Sequence, residues 1–484
     1  MSPTAPTGVD RKIPGRGLDW LFLLLVLGVA LALRGYELSV RPMHADEANQ
    51  AVKLGHLLEG GSYVYNPGDH HGPTLYYFAL VPVWLRGQTT LAALTESTVR
   101  LTPALAGVVG VALLWLLLRP WGSWPATIGA LLLAVAPPAV YFSRYFIQET
   151  LLVTFTLGAM VTGLRWWRGG GPRWAAATGA GFGLMLATKE TAVVFAATAL
   201  LALLASRRAE KGGKVTGRDA GIAGGVALFI AALFYSSFGA NPAGLRDALF
   251  APWTMLGRAT GGTTGHEKPW WYYASLLVWQ RHGGYLWDES VFLLPAVVGG
   301  IIALRTRGLA RFLAIFTAVN ALILSVTPYK TPWLVINLLP GLCGLAALAL
   351  ARLPRGLQVA AVLLVVAGLG WQTRQAVFRL PADERNPFAY VHTVPDMKKV
   401  PALAAAAPAG LIKVIAKEYW PLPWYLRQRA STGYWTEPPE NCDGALVFAD
   451  AALADMVRAR LHGKYRESFL GLRPGFVLVV FARE

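Results

Sequence analysis

What most constrains this chain is its succession of apolar runs and the way charge is placed between them. Runs near residues 18–38, 99–118, 124–142, 150–167, 174–188, 190–206, 219–239, 290–304, 309–327, 332–350 and 356–372 approach the ~20 residues a helix needs to cross a bilayer. The composition agrees: 55% of residues are hydrophobic and 15% charged, far less charge than a water-soluble domain of this length carries. The expected fold class is mainly α, a polytopic membrane helical bundle of about 11 transmembrane helices.

Two local readings fix the parity of the spans. Thr74–Leu85 holds twelve residues after His71-Gly72-Pro73, which suits a re-entrant or interfacial helix rather than a span. Residues 174–206 as a single helix would be ~50 Å long, beyond a bilayer. That stretch is therefore divided at Thr188-Lys189-Glu190-Thr191 into a tight hairpin. With the N-terminus cytoplasmic, the inner links hold fourteen basic residues, Arg207, Arg208, Lys211, Lys214 and Arg218 among them, as inner links should. Counting Thr74–Leu85 as a span would put that basic link outside. The net charge of +17 belongs to this pattern, and nucleic acid is not the expected partner. No small-residue cleavage site follows the first run, so it reads as an anchoring helix rather than a cleaved signal. The two cysteines, Cys343 and Cys442, make no disulfide framework.

Residues 1–372 are thus expected to form the transmembrane domain, with a first outer loop at 39–98 and a second at 240–289. Residues 373–484 read as a small soluble α/β domain on the outer face. Its strands are expected at Leu411–Ala416, Ala445–Ala449 and Phe476–Ala482, and an amphipathic helix at Ala451–Leu461.

Onto the outer face fall Asp46, Glu47, Asp69, His70, His71, Arg144, Glu149, Lys189, Glu190, His266, Lys268 and Lys330. Charge is costly near hydrocarbon, so a converging set reads as a functional site. Asp46 and Glu47 open an amphipathic stretch at 46–59; an acidic pair is also a favourable helix N-terminus. Neighbours on a helix point in different directions, so one of the two faces a reacting centre, where a carboxylate serves as general base. Arg144 and Glu149 flank one outer junction, where Arg and Tyr145 also suit interfacial anchoring. Lys189 and Glu190 interrupt 33 otherwise apolar residues, and Lys330 sits at a third junction. Cations so placed suit a phosphate. His70 and His71 beside Asp69 suit positioning of a sugar or phosphate, and they leave a divalent metal open, although no ligand spacing is diagnostic. The aromatic run Trp270–Tyr273, with Tyr285 and Trp287, fits either sugar stacking or interfacial anchoring.

These residues carry a resemblance. The first-loop Asp-Glu, the re-entrant Gly72-Pro73-Thr74-Leu75-Tyr76-Tyr77, the Arg144–Glu149 junction and the Ala187-Thr188-Lys189-Glu190 hairpin resemble the GT-C superfamily of membrane glycosyltransferases. That superfamily uses polyprenyl-phosphate-linked sugars and includes protein O-mannosyltransferases and the aminoarabinose transferases of lipid A. More narrowly, His70-His71-Gly72-Pro73, Gly265-His266-Glu267-Lys268-Pro269-Trp270, Tyr329-Lys330-Thr331-Pro332-Trp333 and Trp420-Pro421-Leu422-Pro423-Trp424-Tyr425-Leu426-Arg427 are similar to a family named for association with flippase activity in archaeal-type N-glycosylation. That likeness runs over nearly the whole chain.

The resemblance implies an integral membrane transferase with Asp46 as catalytic base and Glu47 orienting donor or acceptor. It further implies that Arg144, Lys189 and Lys330 hold the phosphate leaving group, with Glu149 and Glu190 orienting those cations. His70, His71, His266 and Lys268 complete the substrate-binding set. The partners would be a polyprenyl-phosphate sugar donor, a glycan, lipid or protein acceptor, and membrane lipids. The first loop has no Asp-x-Asp pair of the kind metal-dependent oligosaccharyltransferases use, so a required metal is not expected. The rival reading is a flippase or a non-catalytic accessory protein, which would hold phosphate with the same cations and need no base.

Overall fold

The computed structural model describes residues 16–69, 71–206, 215–260 and 265–484. His70, the basic residues 207–214 and Gly261–Thr264 lie outside the described residues. Every one of the apolar runs is helical where described. They correspond to α1 (Arg16–Gly35), α4 (Glu96–Leu118), α5 (Ser123–Val135) with α6 (Pro137–Phe142), α7 (Glu149–Trp167), α8 (Pro172–Leu186), α9 (Ala192–Ser206), α10 (Gly217–Tyr235), α13 (Ser290–Arg305), α14 (Leu309–Val326), α15 (Leu339–Leu350) and α16 (Arg355–Arg374).

Five stretches are long and apolar enough to cross a membrane by length and composition: Gly17–Gly35, Glu96–Trp121, Gly217–Tyr235, Leu309–Val326 and Arg355–Arg379. The shorter ones are short for visible reasons. Pro137 and Pro138 divide the third run into α5 and α6, and Pro332 opens a 3-10 turn over Pro332–Asn337 ahead of α15. The hairpin at 187–191 separates α8 from α9. Helices meet through small residues, as they do where lipid offers no hydrophobic drive. A Cβ on Gly179 of α8 would sit 2.2 Å from the Ala223 carbonyl oxygen of α10.

The two long links expected on the outer face are structured. The first carries α2 (Ala45–Gly60) and α3 (Thr74–Leu85), a twelve-residue helix over the segment expected to be re-entrant or interfacial. The second contains α11 (Ala243–Thr260), α12 (Tyr272–Leu277) and a hairpin of β1 (Gln280–His282) and β2 (Tyr285–Trp287).

After α16 the chain runs past α6, where Tyr141 donates to the Pro381 carbonyl at 2.7 Å, and enters the C-terminal region. There α17 (Val400–Ala406), α18 (Leu422–Tyr425) and α19 (Ala454–Ala459) accompany a five-stranded sheet. Its strands are β3 (Ile412–Ile415), β4 (Thr432–Trp435), β5 (Leu446–Asp450), β6 (Tyr465–Arg473) and β7 (Phe476–Arg483), in the order β4-β3-β5-β7-β6. β3 runs parallel to β4 and β5; β7 is antiparallel to β5 and β6.

Alternation along these strands serves two cores. Ile415, Val447, Ala449, Val479 and Phe481 pack with Val457 of α19. Ile412, Val414, Phe448, Leu478 and Val480 instead join a buried cluster with Met43, Leu54, Tyr63, Tyr65 and Tyr76 of the first outer loop. The sheet thus shares one apolar face with the loop that carries Asp46 and Glu47.

Candidate active site

Glu47 is fully buried, and both its oxygens are saturated. Arg100 of α4 donates from Nε to Oε1 at 2.8 Å and from Nη2 to Oε2 at 2.9 Å. Arg41 donates to Oε2 at 3.0 Å, the His44 N–H to Oε2 at 3.1 Å, and the Phe146 N–H to Oε1 at 2.9 Å. Burial alone would raise this carboxyl, but Arg100 and Arg41 outweigh it and hold it down at about 2. Arg100 also donates to the carbonyls of Leu38, Arg41 and Pro42, and Arg41 lies with its guanidinium 3.4 Å from the Tyr145 ring centroid. Arg144 donates to the carbonyls of Leu33, Arg34, Tyr36 and Glu37, the open C-terminal end of α1. These arginines fasten the 33–47 segment to α4 and to the 144–146 turn.

Asp46 is placed differently. His44 caps α2: its Nδ1 accepts from the Asp46 N–H at 3.1 Å, while Glu47 returns a bond to the His44 N–H. The cap makes Nδ1 an acceptor, so Nε2 carries the proton and donates to the Tyr390 carbonyl at 3.2 Å. The Asp46 side chain is 52% exposed, 3.9 Å from His44 Nδ1, and among the described residues no hydrogen bond reaches its carboxylate. The acidic pair therefore separates into one buried and one open member, as adjacent helical positions allow.

Tyr390 joins this opening to the second outer loop. Its hydroxyl is 2.9 Å from His266 Nδ1, and its ring carries the Lys268 ammonium at 5.6 Å. Burial, then Tyr329, Glu267 and Asp46, push its phenol up. The two sequence motifs of this region meet as an antiparallel bridge between Glu267 and Tyr329. Lys268 N–H donates to the Pro328 carbonyl at 3.2 Å, and Lys330 N–H to the His266 carbonyl at 3.0 Å. Lys330 is buried, with its ammonium donating to the carbonyls of Lys268 and Thr327. Trp333 closes the frame, 5.9 Å from the His44 ring and 6.2 Å from that of Tyr390.

A second polar cluster surrounds the start of α3. Lys189 donates to Glu149 in a buried ion pair. Glu190 takes Tyr65 Oη at 2.8 Å and His71 Nδ1 at 2.8 Å, and Thr74 meets Thr188 at 2.7 Å. Lys189 and Glu190 thus pair with other elements and not with each other. Asp69 binds Lys53 at 3.2 Å. Gly72 lets α3 dock on the hairpin, since a Cβ there would lie 2.3 Å from the Ala187 carbonyl oxygen. Among the described residues no three His, Cys, Asp or Glu side chains converge as a metal-ligand set.

A family model described as dolichyl-phosphate-mannose-protein mannosyltransferase matches residues 78–235. Comparison with curated proteins finds no match. Among solved structures, the chain is similar to ArnT from Cupriavidus metallidurans bound to undecaprenyl phosphate, with a TM-score of 0.68 at 16% identity over 96% of this chain and 98% of that one. The apo state of ArnT from the same organism matches with a TM-score of 0.57 at 17% identity, over 96% and 98% of the two chains. The Archaeoglobus fulgidus oligosaccharyltransferase tethered to an acceptor peptide containing the NVT sequon matches at 0.57 and 13% identity, over 97% of this chain and 74% of that one. The chain has the GT-C fold.

Within this fold the frame residues His44 and Tyr390 and the anchors Arg41 and Arg100 have no role in the sequence reading, and Trp333 enters it only as the end of the Tyr329–Trp333 motif. Arg100 carried a usable signal, since a cation inside an apolar helix needs a buried acid. Tyr390 carried none, lying in the loop that follows α16. Of the aromatic run in the second loop, Trp270 and Trp271 are exposed, whereas Tyr273 and Trp287 are packed into the core.

Proposed function

We propose that this GT-C protein transfers a sugar from a polyprenyl-phosphate donor to an acceptor hydroxyl at the extracytoplasmic face. The single observation that carries the reading is the division of the acidic pair: Glu47 is consumed by five hydrogen bonds, while Asp46 stands open between His44 and the frame that holds His266 and Lys268. Asp46 takes the proton of the acceptor hydroxyl as the new bond to the anomeric carbon forms. The bond from that carbon to the phosphate oxygen breaks, its electron pair leaves with polyprenyl phosphate, and the configuration inverts.

The leaving phosphate needs cationic donors. Lys268 makes no ion pair among the described residues and faces a ring rather than a carboxylate, which favours it as the first phosphate contact. Lys330 lies one hydrogen bond behind it. Arg144 reaches a phosphate only by giving up the carbonyls of α1, and Lys189 only by leaving Glu149. Their roles are to hold the helices that shape the site. Glu47 orients Asp46 through the shared cap. The neighbour bound to undecaprenyl phosphate supports a lipid-linked donor for this fold.

The test is to incubate purified protein in lipid with a panel of polyprenyl-phosphate sugars and membrane extract as acceptor source. Transfer of label into extract components is the expected result. Tight donor binding with no release of polyprenyl phosphate, extract present, would instead identify a carrier or accessory protein.

A further inference from the structure

The motif Trp420-Pro421-Leu422-Pro423-Trp424-Tyr425-Leu426-Arg427 has no part in the transfer step, and the structure divides it in two. Its second half is a docking element. Trp424 Nε1 donates to Glu96 at 2.9 Å, Arg427 donates to the Leu94 carbonyl, and Tyr425 Oη accepts from the Met43 N–H at 2.9 Å, three residues before Asp46. In its first half Pro421 and Leu422 are buried, while Trp420, with the preceding Tyr419, stays partly exposed beyond the carboxyl end of β3. There the chain leaves β3 for β4 on one side, while β5 lies on the other.

Three rings line this edge. Tyr434, on β4 in register with Val414, lies 5.1 Å from Tyr419 at 38°, and Tyr419 lies 6.0 Å from Trp420 at 30°. Tyr434 is 38% exposed, and the other two are partly exposed. Tyr419 and Trp420 pack on the buried cluster shared with the first loop and still keep part of their surface open. Beside them Arg473 and Glu418 pair at 2.8 Å, with the Glu418 side chain 60% exposed. A row of rings at shallow mutual tilt offers negative faces to the electropositive C–H faces of pyranose rings, and a carboxylate beside a guanidinium offers acceptor and donor to vicinal hydroxyls.

We propose that Tyr419, Trp420, Tyr434 and the Glu418–Arg473 pair form a saccharide-binding platform that receives the acceptor glycan. The acceptor role rests on the transfer reading above; saccharide binding does not. The docking half of the motif fixes the platform to the loop that carries Asp46.

Calorimetric titration of the full-length protein in lipid nanodiscs with soluble oligosaccharides of mannose, glucose, galactose and N-acetylglucosamine tests this. At least one series binds, and Tyr434→Ala and Trp420→Ala each weaken it about tenfold. Tyr434→Phe keeps the ring and binds within about twofold of wild type, which separates ring loss from misfolding. Binding that is absent from wild type, or unchanged in both alanine variants, overturns the platform. So does an effect of these variants on capture of phosphatidylglycerol vesicles alone, which would make the rings a membrane anchor. Saccharide binding without any release of polyprenyl phosphate would overturn the transfer reading and leave the platform standing.

Discussion

Arg100 grips Glu47 through two parallel hydrogen bonds, Nε to Oε1 at 2.8 Å and Nη2 to Oε2 at 2.9 Å, with both side chains buried. Such fork-to-fork geometry fixes the carboxylate in one plane. It thereby fixes the first turn of α2, from which Asp46 projects.

Replacing Arg100 by Ala leaves an uncompensated buried carboxylate and is expected to cost about 3–5 kcal/mol. The melting temperature of Arg100→Ala in lipid should fall accordingly. Equal melting of variant and wild type would remove Arg100 as an anchor.

The same network makes stability depend on pH. The folded Glu47 carboxyl lies at about 2, below its unfolded value, so its contribution is complete above the ordinary glutamate range and is lost as pH falls from about 4.3 through 2. A shift of that size corresponds to roughly 3 kcal/mol. Melting curves of wild type and Glu47→Gln should diverge at pH 6 and converge toward pH 2. A constant gap would show that the ion network is not the source.

Lys189 and Glu149 are expected to behave as a structural pair. Lys189→Met and Glu149→Gln should each destabilise by about 3–5 kcal/mol, and the double variant by much less than their sum. Additive losses in a double-mutant cycle would mean that the pair is not coupled.

Removing the Lys268 ammonium should weaken the donor and not the fold. A charge-assisted bond to phosphate contributes about 1.5–3 kcal/mol, so Lys268→Ala should raise the donor Kd by roughly tenfold to a hundredfold, with Lys268→Arg restoring most of it. Unchanged donor affinity would move the phosphate site elsewhere.

The helical bundle was legible because hydropathy and span length leave few alternatives, and the hairpin at Lys189-Glu190 was legible because its charges interrupt an apolar stretch. The strands at 412–415, 446–450 and 476–483 followed from short apolar runs. β4 and β6 escaped because edge strands are half polar, with Tyr434 and Phe469 exposed. In the site, sequence placed Asp46 and Glu47 together and gave one of them to the reacting centre, but did not show that the other is buried. Which of the two is buried depends on Arg41 and Arg100, and no local pattern announces partners 6 and 53 residues away. Arg144 likewise reads as a phosphate ligand until the carbonyls of α1 occupy its donors. Tyr390 joins the two outer loops through its hydroxyl and its backbone carbonyl, a role set by tertiary placement alone.

The most direct test compares release of polyprenyl phosphate by wild type and Asp46→Asn, in lipid, with acceptor present. The account predicts that the variant binds donor as wild type does and releases polyprenyl phosphate about a hundredfold to ten-thousandfold more slowly. Release at an undiminished rate by Asp46→Asn would contradict Asp46 as the base, and with it the proposed mechanism.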